Sequence, residues 1–528
     1  MSLTQPPQAQ NLSTSDLAIC RAFAYKVHTN TTDDAFQMLP YAFPSEPPLP
    51  TLDAIRSRVA FLAGFRPIQY DQCPNACCCF VGPHANLSRC PFCTEPRYRS
   101  DGKPRQKYTY MPIIPRLINL VGNRDMAKQM EYRARVHTHT PGIIKDVFDG
   151  TLYRGLQGRQ VRVNGRTFAH KYFEDPRDIA LGISTDGFST FKTRKQSTWA
   201  FIVFNYNLPP DIRFHLQNII TLGVVGPRKP IDFDSFLWPA VQELLELLFG
   251  VRAFDALTST VFCLRAFLLL AFGDIPAIAA LMRMKGHNGV LPCRMCKIIG
   301  LRIPGSRSTT HYVPLERSSH PDVQGTSNAV TTYDANNLPM RNHDEMFSQA
   351  NEVQDAFTNT GAADLAKAYG INGISILFYL PPIIFPICFP YDFMHLIWEN
   401  LIPNLVLLWT GNFKGLGPGT ASYEIPKAVW EAIGEATAAA GSTIPSVYGC
   451  RVPSIAKDQS QYTAEMWSFW TLYLGPVVLR RRFQRPKYYD HFINLVCLLN
   501  TCLKFEITED DIKQIRVGFM EWVNEYEL

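Results

Sequence analysis

The sequence lacks long uninterrupted apolar runs, and it does not open with a basic stretch followed by an apolar one. The longest apolar runs, residues 266–272 and 374–389, are short or interrupted by proline. A membrane-spanning helix needs about 20 consecutive apolar residues, so we expect no membrane span. The missing leader argues against secretion. We therefore expect a soluble intracellular protein, in which clustered cysteines indicate metal ligands rather than disulfides.

Apolar and aromatic residues are present in the amounts that a folded protein needs. Hydrophobic residues make up 46% of the chain and aromatic residues 12%. The length of 528 residues leaves room for roughly three or four domains. The net charge of +6 permits nucleic-acid binding without requiring it. Between residues 94 and 145 there are eleven Lys and Arg and four acidic residues, so this one segment carries +7.

Changes in composition divide the chain into seven segments. The first is rich in Ser, Thr, Gln and Pro and is expected to be mostly disordered, with a short helix near residues 17–27. The predicted segments are a disordered N-terminal segment (1–50), a zinc ribbon or knuckle-like module (51–100), a basic helical linker suited to DNA contact (101–170), the first part of an α/β core with a Cys-x-x-Cys pair (171–300), a polar insertion (301–372), a core strand and a helix with an Asp-x-x-His pair (373–410), and a helical insertion domain (411–528).

The first cysteine cluster contains two close pairs, Cys73-x3-Cys77 and Cys90-x2-Cys93, separated by twelve residues. This spacing is typical of a zinc ribbon or knuckle, in which each pair forms a turn that aims two thiolates at one tetrahedral ion. Cys78 or Cys79 could replace Cys77, and His84 could be an extra ligand. The alternative is a set of buried free cysteines without metal. We predict a zinc site at Cys73, Cys77, Cys90 and Cys93.

A second pair, Cys293-x2-Cys296, supplies half of another zinc site. His287 and His311 lie close enough in sequence to complete it. We favour a structural zinc here over two free thiols, with the histidines as provisional ligands.

The pattern of the core predicts three adjacent strands from residue 179 to about 225, a helix over 234–249, and a fourth apolar strand ending near Asp274. This is the strand order of an RNase H-like mixed sheet, in which the first and fourth strands are neighbours. Asp186 and Asp274 would then each supply a metal-binding carboxylate. The alternatives are an Asp-Gly turn at Asp186 and a helix N-cap followed by proline at Asp274.

The motif PYDFMH places Asp392 three residues before His395, at the start of an apolar helix. Residues three apart share a helical face, so the two side chains could form a hydrogen-bonded pair beside a metal site. Glu399 lies one further turn along. The alternative is an N-cap Asp with an internally satisfied His.

Two groups of basic residues are candidate contacts for nucleic-acid phosphates. For both groups the alternative is an ordinary solvated surface. The first group is Arg97, Arg99, Lys103, Arg105 and Lys107, and the second is Arg480, Arg481 and Arg482.

Several long motifs resemble the transposases of CACTA-type (En/Spm-like) DNA transposons of mushroom-forming fungi. They are CPNACCCFVGPHANLSRCPFC, DIALGISTDGFSTF, NYNLPPDIRF, GDIPAIAALMRMKGHNGVLPCRMC and PYDFMHLIWEN. The resemblance covers about residue 65 to the end of the sequence. It implies an RNase H-like catalytic domain with an Asp-Asp-Glu triad, a helical insertion before the last acid, and cut-and-paste strand transfer with Mg²⁺ or Mn²⁺. By position, Asp186 would be the first acid, Asp274 the second, and Asp392 with His395 the Asp-x-x-His element.

The resemblance also implies double-stranded DNA at transposon ends as the partner and a nuclear location, and it leaves a homo-oligomer open. The third acid of related transposases lies in an aromatic segment resembling FERYNG, and no such segment occurs in residues 462–528. Glu399 and Glu465 do not match its position. We therefore expect a C-terminally truncated, transposase-derived chain that is inactive in strand transfer. The alternatives are a non-catalytic zinc protein that binds DNA or protein, and a nuclease that uses a replacement Glu.

Overall fold

The computed structural model describes residues 12–527, apart from 164, 190–196, 306, 414–420 and 450. The chain forms two compact units, and each draws on separated parts of the sequence. The first consists of Met1–Thr138, Leu152–Leu270 and Tyr379–Ile383. The second consists of His139–Thr151, Ala271–Phe378 and Ile384–Leu528. The seven consecutive segments remain a prediction at the level of domains.

The strands of the described residues, numbered in chain order, are β1 Ile68–Gln72, β2 Gln106–Tyr110, β3 Ile143–Ile144, β4 Gln160–Val163, β5 Arg166–Lys171, β6 Ile179–Ser189, β7 Ser197–Asn205, β8 Ile220–Val225, β9 Val251–Asp255, β10 Thr260–Leu264, β11 Ala266–Phe272 and β12 Ile507–Thr508.

The α-helices are α1 Thr14–His28, α2 Asp33–Gln37, α3 Leu39–Ala42, α4 Leu52–Leu62, α5 Ile114–Val121, α6 Arg124–Gln129, α7 Thr151–Leu156, α8 Phe233–Phe249, α9 Ile275–Leu281, α10 Pro321–Gln324, α11 His343–Gln354, α12 Asn359–Tyr369, α13 Ile402–Trp409, α14 Lys427–Ala440, α15 Ala464–Phe469, α16 Gly475–Val478, α17 Pro486–Cys502 and α18 Glu509–Glu527. Wider π-helical turns occur at Tyr132–Val136, Met394–Leu401 and Trp470–Leu474. Within the described ranges, no helix is long and apolar enough to cross a membrane.

The largest sheet has the strand order β11–β6–β7–β8, so the fourth strand of the core lies beside the first as expected. β6 pairs antiparallel with β7, and β7 pairs antiparallel with β8. The first five residues of β6 are buried, which fits its continuous apolar sequence. Helix α8 matches its predicted range, and its Phe233 ring packs edge-on against Trp199 and Phe201 of β7.

The sequence pattern did not separate the hairpin β9–β10 from the strand that follows it. β9 and β10 pair antiparallel, and Arg265 separates them from β11. The apolar stretch interpreted as one strand therefore contains two. β10 alternates between exposed and buried positions, whereas β11 is mostly buried, so the two strands have different environments.

The N-terminal segment differs from the expectation of disorder. Residues 1–11 lie outside the described residues, but residues 12–50 contain helices α1, α2 and α3. Ile19, Phe36 and Ile55 form a small buried cluster, with Phe36 only 2% exposed. Arg58 adds a two-point ion pair with Asp16 at 2.6 and 2.8 Å. Burial of widely spaced apolar residues against α4 explains why a polar composition still folds.

The second unit has an aromatic helical core. Trp470 is completely buried and lies beside the rings of Trp430 and Phe492. Near the end of the chain, Trp522 stacks on His491 at 4.5 Å between ring centroids, and each residue donates a side-chain hydrogen bond to the other's carbonyl. This packing fixes α18 against α17.

Candidate functional site

The first cysteine cluster gathers the four predicted thiols, and their sulfur atoms all lie within 4.8 Å of one another. The cysteines of each pair lie on a tight turn. In the first turn the amide of Ala76 donates to the carbonyl of Cys73 at 2.8 Å, and in the second the amide of Thr94 donates to the carbonyl of Cys90 at 2.9 Å. Ala76 and Thr94 have positive φ angles of 58° and 60°, so each pair is shaped by one left-handed residue. The two turns thus aim four sulfurs at one point.

The surroundings of the cluster affect its thiols differently. Burial raises the pKa of Cys73 to about 11 and raises the pKa of Cys77 further. Burial also opposes ionisation of Cys93, but hydrogen bonds from the Glu95 amide and from Asn75 Nδ2, the latter at 3.6 Å, outweigh it and lower the pKa to about 7. A cation bound by all four sulfurs would stabilise their thiolate forms.

The donor set fits zinc. A tetrahedral zinc with four thiolates at about 2.3 Å places neighbouring sulfurs about 3.8 Å apart, and the Sγ atoms of Cys73 and Cys93 are 3.4 Å apart. Cys78 lies outside the group of four, although its Sγ is 3.9 Å from that of Cys90. Zinc would be structural here, since four protein ligands leave no open position.

The other proposed ligands of this cluster have different partners. The Cys79 thiol contacts the carbonyl of Asp71 at 3.5 Å. The Cys79 backbone amide donates a hydrogen bond to the Ser235 hydroxyl. The His84 ring is hydrogen-bonded to the Asp232 carboxylate at 2.9 Å. The structure therefore favours Cys77 over its neighbours as the second ligand and leaves His84 beside the group.

The second cysteine pair does not form a comparable group. Among the described residues, the four clustered thiols are the one set of three or more His, Cys, Asp or Glu whose ligand atoms come within 4.8 Å of one another. The amide of His311 donates to the carbonyl of His287 at 3.0 Å, so these two residues meet through their backbones. The prediction of zinc at Cys293, Cys296, His287 and His311 thus has no support in the described geometry.

Cys293 instead lies in a network of hydrogen-bond donors. The amides of Met295 and Cys296 donate to its sulfur at 3.3 and 3.4 Å, and the Tyr391 hydroxyl is 3.6 Å away. The Cys296 thiol contributes most, and these donors together outweigh burial and lower the pKa of Cys293 to about 5. The pair is therefore suited to hold one thiolate without metal.

The same turn fixes the chain just before the Asp-x-x-His element. The guanidinium of Arg294 lies 4.0 Å from the Tyr391 ring centroid and donates to the carbonyls of Phe389 and Pro390 at 3.0 and 2.7 Å. On the other side, Arg341 donates to the Cys293 carbonyl at 3.1 Å. The Cys-x-x-Cys turn therefore positions the backbone that leads into Asp392.

Asp186 is the eighth residue of β6 and lies opposite Ala200 of β7. Its side chain is exposed, and one carboxylate oxygen accepts the Gly187 amide at 2.7 Å. The strand continues to Ser189, so the Asp-Gly pair is not a turn. A Cβ atom at Gly187 would lie 2.4 Å from the Trp199 ring, which explains the glycine as a close approach between strands. The Asp186 carboxylate is therefore open to solvent.

Asp274 belongs to the second unit and caps α9. Its Oδ1 accepts the Ala277 amide at 2.6 Å, with proline in the first turn, as the N-cap alternative predicted. Each of Asp186 and Asp274 keeps one carboxylate oxygen without a protein hydrogen bond within the described residues. Both are therefore chemically able to ligate a hard cation. Their pairing remains a prediction from the sequence.

Asp392 and His395 form the predicted pair. The His395 amide donates to Asp392 Oδ1 at 3.2 Å, and His395 Nδ1 lies 2.7 Å from Asp392 Oδ2. On the other edge of the ring, Nε2 is 3.8 Å from the Glu399 carboxylate. Burial opposes protonation of the ring, but the bond to Asp392 and the charges of Glu399 and Asp274 outweigh it and raise the His395 pKa. The second unit thus places the His395 ring among three carboxylates.

The first basic group is partly structural. Arg97 pairs with Asp71 at 2.7 Å, donates to the carbonyls of Ala85 and Leu87, and packs over the Phe80 ring. Arg105 is paired with Glu95. The members of the group that remain exposed and without an ion pair, within the described ranges, are Arg99, Lys103 and Lys107.

The second basic group has a different character. Its members are exposed and make no ion pair with any described acidic residue; they are Arg480, Arg481, Arg482 and the neighbouring Arg485 and Lys487. Lys487 lies 5.0 Å from the Tyr488 ring centroid. We call these five residues the basic turn. It is the stronger candidate for a phosphate contact.

Residues 149–313 match the transposase family tnp2. This match supports a transposase family for the chain. The matched region contains Asp186 and Asp274 together with the pair Cys293 and Cys296, whereas the clustered thiols and the Asp392–His395 pair lie outside it. No curated protein matches the chain.

The sequence pattern missed the residues that support the sites. Asn75, Arg294 and Arg341 act through a thiol or a backbone carbonyl, and Tyr391 acts through its hydroxyl. The signal available in the sequence was proximity, since Asn75 lies between the first two cysteines and Arg294 between the second two. Their partners are far apart in sequence, so contact could not be inferred.

Proposed function

We propose that this chain is a transposase-derived, DNA-binding zinc protein, with the carboxylates of a metal-dependent phosphodiester site but without strand transfer of its own. The observation that carries the proposal is the match of residues 149–313 to the tnp2 transposases, because this region contains both Asp186 and Asp274. The four clustered thiols supply the zinc site, and the basic turn supplies exposed cations for DNA phosphates. A nuclear location and a fungal CACTA-type origin belong to the same proposal.

The proposed cleavage chemistry rests on Asp186 and Asp274. A pair of Mg²⁺ or Mn²⁺ ions held by such carboxylates activates a water or a DNA 3′-hydroxyl and stabilises the leaving oxygen. In this chain Gly187 and Ala277 donate amide hydrogen bonds that orient the two carboxylates, and each leaves one oxygen for a cation. His395, held by Asp392, would offer a proton near Asp274 within the second unit.

One observation supports the absence of strand transfer. Glu399, the nearest substitute in sequence to the Asp-x-x-His element, lies beside the His395 ring and contributes to its charge balance instead. A two-ion site needs carboxylates that bridge the ions and carboxylates that bind each ion separately. Two aspartates alone would therefore bind a pair of ions weakly.

Incubation of the purified chain with supercoiled plasmid and Mn²⁺ tests this proposal. We expect no metal-dependent nicking above that of a matched Asp186→Ala preparation. Nicking by the wild-type chain that disappears in Asp186→Ala would contradict the inactive assignment and favour the replacement-Glu nuclease. Asp211→Ala, which removes another aspartate of the matched region, controls for a general effect of charge.

The second candidate function is a binding protein that acts through its zinc module and basic turn without any metal at the aspartates. The exposed, unpaired cations of the basic turn favour it. DNA affinity that is the same with and without Mg²⁺ and unchanged in Asp274→Asn would support this candidate. Mg²⁺-dependent affinity that is lost in Asp274→Asn would support the metal-binding site.

A further inference from the structure

The second unit exposes an aromatic pair close to the basic turn. Tyr448 and Tyr473 are each 54% exposed, and Val477 is 72% exposed. The two tyrosine rings contact each other at 5.9 Å between centroids, at an angle of 66°. We call Tyr448, Tyr473, Val477, Arg480 and Arg481 the aromatic–basic surface.

The local helix explains how this surface forms. Tyr473 lies in the π-helical turn Trp470–Leu474, and Val477 follows four residues later in α16, so the two are neighbours on one face. The opposite face is held in the core by Trp470 and Thr471, which are completely buried. The amide of Arg480 bonds to the Val477 carbonyl at 3.4 Å, which places the first arginine within one turn of Val477.

The composition of the surface is unusual for solvent contact alone. Exposed aromatic and aliphatic side chains gain nothing from water, and grouped exposure of this kind marks binding surfaces. The basic turn adds five cations without an ion-pair partner among the described residues. The Glu465 carboxylate lies beside Gly449, the residue that follows Tyr448. A partner with negative charges and flat rings could contact both the cations and the tyrosine rings.

We propose that the aromatic–basic surface binds unpaired DNA, with Tyr448 and Tyr473 stacking on bases and Arg480 and Arg481 contacting phosphates. Proteins that bind single strands combine a basic path for the backbone with aromatic rings for the bases. Duplex DNA offers its phosphates to the arginines but keeps its bases stacked, so the tyrosines distinguish the two forms. The proposal rests on the proposed DNA-binding function and adds a preference for single strands.

Fluorescence anisotropy with a labelled 30-nucleotide single strand and its duplex, at fixed salt, tests the proposal on the full chain. We expect the double variant Tyr448→Ala/Tyr473→Ala to bind the single strand about tenfold or more weakly, with duplex affinity changed less than about twofold. Tyr448→Phe/Tyr473→Phe keeps the rings and should restore single-strand affinity. Tyr41→Ala, at an 83% exposed tyrosine of the first unit, is the matched control and should change neither affinity.

Equal single-strand affinity of the wild type and the double Ala variant would overturn the proposal, and so would an equal loss for single strand and duplex. In both cases duplex binding by the wild type would leave the proposed function intact. Absence of binding to either DNA form by the wild type would overturn the proposed function as well. Unchanged thermal unfolding of the double Ala variant shows that the lost affinity comes from the rings rather than from the fold.

Discussion

The two cysteine clusters look alike in sequence and differ in structure. The first places four thiols within 4.8 Å of one another on two turns, each shaped by a left-handed residue. The second has one turn, and the sulfur of Cys293 is surrounded by two amide donors and the Tyr391 hydroxyl. A Cys-x-x-Cys pair therefore indicates half of a metal site only. Among the described residues, only the pair that meets a second pair forms a group of thiols that could hold a metal ion.

Zinc content should separate the two clusters most strongly. We expect about one zinc per wild-type chain, none in Cys90→Ser, and an unchanged value in Cys293→Ser. Because metal binding to structural cysteines contributes several kcal/mol to folding, Cys90→Ser should also lower the thermal midpoint sharply. Elemental analysis with calorimetry measures both effects.

Cys78→Ser is the matched control for the first cluster, because Cys78 is buried beside Cys90 but lies outside the group of four. It should keep one zinc. Two zinc ions per wild-type chain, with one lost in Cys293→Ser, would show that the second cluster is a metal site after all.

The pH dependence of thiol alkylation distinguishes Cys293 from an ordinary thiol by about tenfold in rate per pH unit. With its pKa lowered to about 5 by the Cys296 thiol and other donors, Cys293 is already ionised at pH 6. Its rate with iodoacetamide should therefore change little between pH 6 and 8, whereas an ordinary thiol reacts about tenfold faster for each pH unit over this range. Peptide mass spectrometry after brief labelling measures the rate at Cys293.

In the same experiment, Cys73 and Cys90 should resist labelling until a chelator is added. Labelling of Cys293 that rises tenfold per pH unit would contradict the assigned thiolate. Protection of Cys293 that is removed by the chelator would indicate metal at the second cluster.

Substitution of Arg97 should have a smaller effect than the changes in zinc content and alkylation rate, and the quantity it changes is stability. Arg97→Ala removes the Asp71 ion pair and two backbone hydrogen bonds beside the first cluster, so we expect a loss of about 1–3 kcal/mol in the free energy of unfolding. Arg99→Ala, at an exposed position two residues away, should be nearly neutral. Denaturant unfolding of both variants measures the difference. Equal stability of Arg97→Ala and Arg99→Ala would contradict the structural role of Arg97 and leave it as a candidate phosphate contact.

Local patterns predicted the elements that have local causes. Helix α8 followed from its apolar spacing, and the group of four close thiols followed from pair spacing. The neighbouring strands β6, β7 and β8 followed from the succession of apolar runs, whereas the place of β11 beside β6 followed from the RNase H-like strand order. Apart from the place of β11, these features depend on residues that are close in sequence.

Features that depend on distant partners were not predictable in this way. The basic segment looked like one cationic surface, yet Arg97 is neutralised by Asp71, and Arg133 is buried under carbonyls of residues 175–178. Asp186 looked buried because its strand is, although its own side chain is exposed. The N-terminal helices fold because Phe36 and Ile55 meet across 19 residues. Charge and hydrophobicity counts do not contain these contacts.

The salt dependence of DNA binding tests the central claim most directly, namely that a transposase-derived zinc protein binds DNA through its basic turn. Each phosphate contact contributes about 0.9 to the slope of log affinity against log salt for duplex DNA. The account predicts a steep slope for the wild-type chain and a slope smaller by about 2–3 in the triple variant Arg480→Gln/Arg481→Gln/Arg482→Gln. A slope unchanged in the triple variant, or no measurable duplex binding by the wild type, would contradict it.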